Sequence, residues 1–165
     1  MGNSAEAGKQ KTVVIGYDGT APAERALRRA AEYARAFAAR VVVVSVAAPV
    51  PRDIGVPGAF GLVPYYRYPA EELGRRAERD EQLWEQHRER VQALFADADL
   101  HVEFAGVAGD PAQELVDAAE RRQAELIVVG TREPGFLERL LGGSVSQDVA
   151  RHATCDVLVV HSGSD

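Results

Sequence analysis

The sequence predicts an α/β fold: a five-stranded parallel sheet with helices on both faces, a Rossmann-like open α/β sandwich. Three observations predict it. Five short apolar runs rich in valine and isoleucine recur along the chain. Segments of helical periodicity separate them, several opened by a capping residue. The apolar residues of the second run, VVVVSV, follow one another without alternation, as a strand covered on both faces requires, and strands alternating with helices imply parallel pairing.

Each element has its own signal. Lys11 to Gly16, KTVVIG, is the first strand, and Asp18-Gly19-Thr20 is a turn. Thr20 suits a helix cap, with Pro22 and Glu24 in the first turn after it. Ala23, Ala26, Leu27, Ala30, Ala31, Ala34, Phe37 and Ala38 then recur at helical spacing. Val41 to Val46 is the second strand. Ala48 to Pro69 holds five of the eight prolines and reads as a long loop, closed by Tyr65, Tyr66 and Tyr68. Ala70 to Ala96 is a charged helix whose apolar stripe is Leu73, Ala77, Trp84, Val91, Leu94 and Phe95. Its charges form a solvated face with pairs such as Glu71 and Arg75. Leu100 to Val107 is the third strand. Asp110 caps the next helix, Pro111 fits its first position and Gln113 can complete a capping box. Glu125 to Gly130 is the fourth strand, Ser144 to His152 a helix opened by Ser144 and Gln147, and Asp156 to His161 the fifth strand.

Length and composition bound the function. A chain of 165 residues fits one domain, expected over 11–165, behind a flexible leader over 1–10. The net charge of -6 argues against broad binding to nucleic acid or anionic membrane. There is no apolar stretch of about 20 residues to span a bilayer. The leader lacks an apolar signal core, so the expected location is cytoplasmic. The one cysteine, Cys155, excludes an internal disulfide and a cysteine metal cluster, and reads as a small buried apolar residue.

In such sheets ligands bind beyond the carboxyl ends of the strands, where the winding reverses. That rule points at Asp18, Val46 and Gly130. Asp18 ends a buried strand, where a carboxylate suits ribose hydroxyls or a metal ion, or simply forms the turn before Gly19. Gly142-Gly143-Ser144 opens the last helix, whose free N–H groups and positive dipole end suit a phosphate that glycines let approach; a tight turn alone would need the same glycines. Other motifs fail. Phe136-Leu137 stands where a P-loop needs Lys and Ser or Thr, no G-x-G-x-x-G follows a strand, and no G-x-S-x-G elbow exists. His87, His101, His152 and His161 lack metal-ligand spacing. No catalytic constellation emerges.

The opening VVIGYDGT, the turn GDPAQEL, ELIVVGTR and LLGGSVSQDVARHATCDVLVVH together resemble the universal stress protein family, from about Lys11 to His161. The resemblance implies a five-stranded parallel domain, usually dimeric, in a family divided into members that bind ATP or a related adenine nucleotide and members that do not. The nucleotide-binding branch carries G-x2-G-x9-G-S/T. Here Gly130, Gly143 and Ser144 keep the spacing, while Glu133 stands at the middle glycine. By resemblance Asp18 would face the ribose or a nucleotide-bound Mg²⁺, and Val46 would offer its backbone to the adenine. Gly130 would line the ribose-phosphate part, and Gly143, Ser144 and Val145 would hold phosphates.

Glu133 opposes that picture. A carboxylate about 4 Å from a phosphate costs on the order of 1 to 4 kcal/mol at surface-like dielectric. Arg132, counted among the nucleotide contacts, and Arg139 could neutralise it, a metal could bridge it, or its side chain could swing to solvent. The ligand could equally carry less phosphate, as AMP or cyclic AMP does.

Three functions follow. The first is a homodimer that binds ATP (with Mg²⁺), AMP or cyclic AMP as a stress-response regulator or nucleotide buffer. The second is a nucleotide-free interaction module acting through its dimer and loop surfaces. The third, for which no base stands out, is a slow ATPase. The resemblance assigns the dimer to the last strand, DVLVVH; the run itself shows only a strand that needs covering.

Overall fold

The computed structural model describes residues 10–49, 69–96, 98–131 and 145–161. The expected leader, most of the proline-rich stretch and residues 132–144 lie outside it. The elements run β1 (Thr12–Gly16), α1 (Ala21–Phe37), β2 (Arg40–Ala47), α2 (Ala70–Phe95), β3 (Val102–Ala108), α3 (Pro111–Arg122), β4 (Leu126–Gly130), α4 (Val145–His152) and β5 (Asp156–Val160). Every expected element within the described residues is present, with ends moved by one or two residues. The strands form one parallel sheet in the order β3-β2-β1-β4-β5.

β1 is central. The chain winds from it through β2 to β3, then crosses back through α3 to pair β4 on its other side. The winding therefore reverses between β1 and β4, where a crevice opens at the carboxyl edge of such sheets.

Alternate residues of the strands feed two cores. Val13, Ile15, Val41, Val43 and Val128 pack under α1 and α2; Val14, Val42, Val44, Ile127 and Val129 pack under α3 and α4. The alanine face of α1 (Ala23, Ala26, Ala30, Ala31 and Ala34) lets that helix approach closely, and Leu27 fills the remaining space at 1% exposure. Truncating a leucine so placed costs about 2 to 5 kcal/mol.

The caps partly follow the sequence. The Thr20 side chain accepts from the Ala23 N–H, and Asp110 accepts from the Gln113 N–H at 3.0 Å. The Gln113 side chain is engaged along the helix, its Nε2 donating to Asp117 Oδ1 at 2.6 Å.

α2 differs most from expectation. Its buried residues are His87, Val91 and Phe95, while Leu73 and Ala77, expected in the apolar stripe, are exposed. A stripe fixes which face of a helix is apolar, not how far along the helix the sheet reaches. The ion pairs of α2 are Arg88 with Glu85 and Arg90 with Glu24 of α1, rather than Glu71 with Arg75. Cys155 is half-buried against the second core rather than enclosed, and burial pushes its thiol pKa up. Among the described residues no helix is long and apolar enough to cross a membrane.

Candidate functional site

β1, β2 and β4 end side by side at the carboxyl edge. Gly16 pairs with Val44 and Ile15 with Val128. Counted on from these pairs, Asp18 lies two residues past Gly16 as Val46 lies two past Val44, and three past Ile15 as Thr131 lies three past Val128. Three of the sequence-predicted positions, Asp18, Val46 and Gly130, thus share one edge, with the first two on neighbouring strands and Gly130 across the switch point. Val145 begins α4 and is 41% exposed. Arg132, Gly143 and Ser144, with Glu133 and Arg139, lie outside the described residues.

The turn after β1 is tightly bonded. The Tyr17 N–H donates to the Val44 carbonyl at 2.9 Å, extending the ladder one residue past the strand. Asp18 Oδ1 accepts from the Thr20 N–H at 3.0 Å and from the Thr20 hydroxyl at 2.6 Å. Thr20 in turn caps α1, so the carboxylate is anchored to the start of a helix whose positive dipole end faces this edge. The turn-forming and ligand-facing readings of Asp18 are compatible: one oxygen makes the turn, at the edge where a ligand would lie.

Gly130 has a packing reason of its own. A Cβ there would stand 2.5 Å from the Pro22 carbonyl oxygen, so the first turn of α1 rests directly on the end of β4. Thr131 follows, 7% exposed, with its N–H donating to the Val160 carbonyl at 3.0 Å.

Beneath the turn lies a group that the sequence reading passed over. His87 of α2 is 9% exposed, and its Nδ1 is 2.8 Å from the hydroxyl of Ser45, itself 1% exposed. The Tyr17 ring meets it edge-on, centroids 5.1 Å apart. Its Nε2 lies against Gly19, which has φ +77°; a Cβ at that position would stand 2.8 Å from the nitrogen. Burial lowers the His87 pKa, with the Asp18 charge opposing, which favours the neutral ring. Burial also raises the Tyr17 pKa, and Arg90 holds Glu24 below the usual carboxylate range. A signal for this cluster existed. Ser45 interrupts the run VVVVSV, and a hydroxyl in a fully covered strand needs a buried partner.

No group of three or more His, Cys, Asp or Glu side chains comes together to hold a metal among the described residues.

With that geometry established, three comparisons place the chain. The model of the universal stress protein family matches residues 9–161. A universal stress protein of Thermus aquaticus is 35% identical over 150 residues, covering 91% of this chain and 98% of the relative. One from Methanocaldococcus jannaschii is 34% identical over 157 residues, covering 91% and 81%. Among solved structures, a universal stress protein in complex with cAMP superposes with a TM-score of 0.64 at 28% identity, covering 93% of this chain and 98% of that one. The switch point between β1 and β4, the capped turn after β1 and a family match from end to end of the sheet agree: the chain belongs to the universal stress protein family.

Proposed function

We propose that the protein binds an adenine nucleotide at the carboxyl edge between β1 and β4, and acts as a stress-response regulator or nucleotide buffer. The observation that carries this reading is the similarity, at 28% identity over nearly the whole chain, to a universal stress protein solved with cAMP. The described residues fit such a ligand. Asp18 offers a carboxylate to ribose hydroxyls, Val46 is the last residue but one of the neighbouring strand, and α1 and α4 begin at the same edge with their positive dipole ends. In this reading Gly130, Arg132, Gly143, Ser144 and Val145 line the ribose and phosphates.

Glu133 decides which nucleotide. Its charge penalises phosphate by about 1 to 4 kcal/mol at close range, on the order of five- to a thousandfold in affinity. A ligand with one phosphate loses less to it than ATP does. AMP or cyclic AMP is therefore the preferred ligand, with Mg²⁺-ATP weaker.

A second reading is a nucleotide-free interaction module. Gly130 favours it, because Pro22 accounts for that glycine without any ligand.

Calorimetric titration of AMP, cyclic AMP and Mg²⁺-ATP into the wild type and Glu133→Gly tests both. The proposal expects wild-type binding of the monophosphates, with ATP gaining most from the substitution. If only Glu133→Gly binds, or neither does, the second reading holds.

We also propose that the protein is a homodimer through β5. Among the described residues that strand pairs only with β4 and leaves Leu158 38% exposed on the edge strand. Sedimentation equilibrium of Leu158→Arg should show monomers; an unchanged mass would place any interface elsewhere.

A further inference from the structure

We propose that His87 is a positioning residue for the candidate ligand edge: fixed by Ser45 and wedged beneath Gly19, its imidazole sets where Asp18 stands. This rests on the nucleotide reading for its consequence, though not for its geometry.

The first observation is a cost. On the face of β2 under α1 and α2, Val41 and Val43 precede Ser45, and the buried stripe of α2 continues as Val91 and Phe95. A serine and a histidine replace apolar side chains at one point of that face. Burying both is tolerable only because each satisfies the other at 2.8 Å. Apolar residues of similar size would fill the space without that requirement. The pair lies directly under the turn that carries Asp18.

The second observation is contact. Gly19 lies in the left-handed region at φ +77°, and its missing Cβ leaves room for His87 Nε2. Ring and turn are thus matched in shape. Asp18 precedes Gly19 and is bonded across it to both the N–H and hydroxyl of Thr20. A shift of Gly19 therefore moves the carboxylate.

The third is that the ring cannot slide. Ser45 holds Nδ1, and the Tyr17 ring closes one side. One turn on from His87, Arg90 pairs with Glu24 of α1 at 2.7 Å. α2 is thereby fixed to the helix that Thr20 caps. A site held by packed neighbours binds better than one left loose, and the loss on loosening is about tenfold.

The test uses the full chain with AMP and cyclic AMP as probes, and the Thr20 amide as a resonance reporting on Asp18. In His87→Ala the Thr20 amide should shift, and affinity for the monophosphates should fall about tenfold. His87→Gln, whose amide can bond Ser45, should recover most of both. Gly19→Ala and His87→Ala should be strongly non-additive, because removing the ring removes the clash. An unmoved Thr20 amide in folded His87→Ala, or additivity of the two substitutions, would overturn the proposal. If His87→Ala does not fold, the wild type decides: the monophosphate that binds should shift the imidazole resonances of His87, and a silent ring refutes the role. If the wild type binds neither probe, the nucleotide reading fails, and the Thr20 amide alone decides whether His87 positions the turn.

Discussion

The contact between Gly130 and Pro22 gives a sharp prediction, because one substitution has opposite signs at two glycines. In Gly130→Ala the new methyl would start 2.5 Å from a backbone carbonyl oxygen. An ordinary C···O contact is about 3.3 Å, so the first turn of α1 must withdraw by roughly 0.8 Å. No side-chain rotation can relieve this, since the obstacle is main chain. Overpacking of this kind costs about 1 to 3 kcal/mol. In a domain of this size each kcal/mol moves Tm by about 2 to 4 °C, so a fall of roughly 2 to 12 °C is expected. At Gly74, inside α2, an added Cβ meets nothing within 4 Å. There alanine should stabilise by about 0.5 to 1 kcal/mol, because glycine loses more backbone freedom on folding. Paired urea melts of the two variants cancel errors in the wild-type baseline. A Gly130→Ala midpoint equal to or above that of Gly74→Ala would refute the packing argument, and with it the structural explanation of that glycine.

Further predictions follow from the same physics. Ala38 and Gln123 end their helices at φ 51° and φ 50°, so Ala38→Gly and Gln123→Gly should each raise stability by about 1 kcal/mol in urea melts. Gly106 packs against the ring of Trp84, the protein's one tryptophan; Gly106→Ala should displace the ring and change the fluorescence emission while lowering the urea midpoint. His87 has a folded pKa below its ordinary 6.5, so the unfolded chain binds the extra proton first. Its contribution is then complete above about pH 6.5 and is lost as pH falls from there through the folded value. Urea midpoints at pH 7.5 and 5.5 should show a loss in the wild type that His87→Gln reduces.

The sheet was legible because its strands are covered on both faces. Runs such as VVVVSV and ELIVVG carry that requirement in their composition, and the capped helices between them fix the alternation. Strand order came only as a rule about where winding reverses; that β1 is the central strand is a property of pairings between distant residues. Exposure along α2 was not legible either. Leu73 and Val91 belong to the same stripe, yet only Val91 meets the sheet. His87 was hidden for a related reason. Its burial depends on a hydroxyl 42 positions away; Ser45 signals that a buried partner is needed, but not that the partner is His87. At the candidate site, Asp18, Val46 and Gly130 were singled out because they lie at or beside strand ends, a local signal. What Glu133 does to a phosphate depends on distances that a spacing pattern does not contain.

The central place of β1 also has a consequence in time. One flank of β1 is covered by β2, whose Arg40 pairs with Thr12 early in the sequence. The other flank awaits β4, whose Leu126 pairs with Val13. On a ribosome adding about 5 to 20 residues per second, that partner is made about 110 residues later, roughly 6 to 22 s after β1 itself. Through that interval one side of VVIG has no strand to bond, while β1, β2 and β3 can already pair. The first strand made thus waits longest of the inner strands for its second neighbour. Substitutions that weaken β4 should therefore lower yield during synthesis more than they lower the melting point of the finished protein.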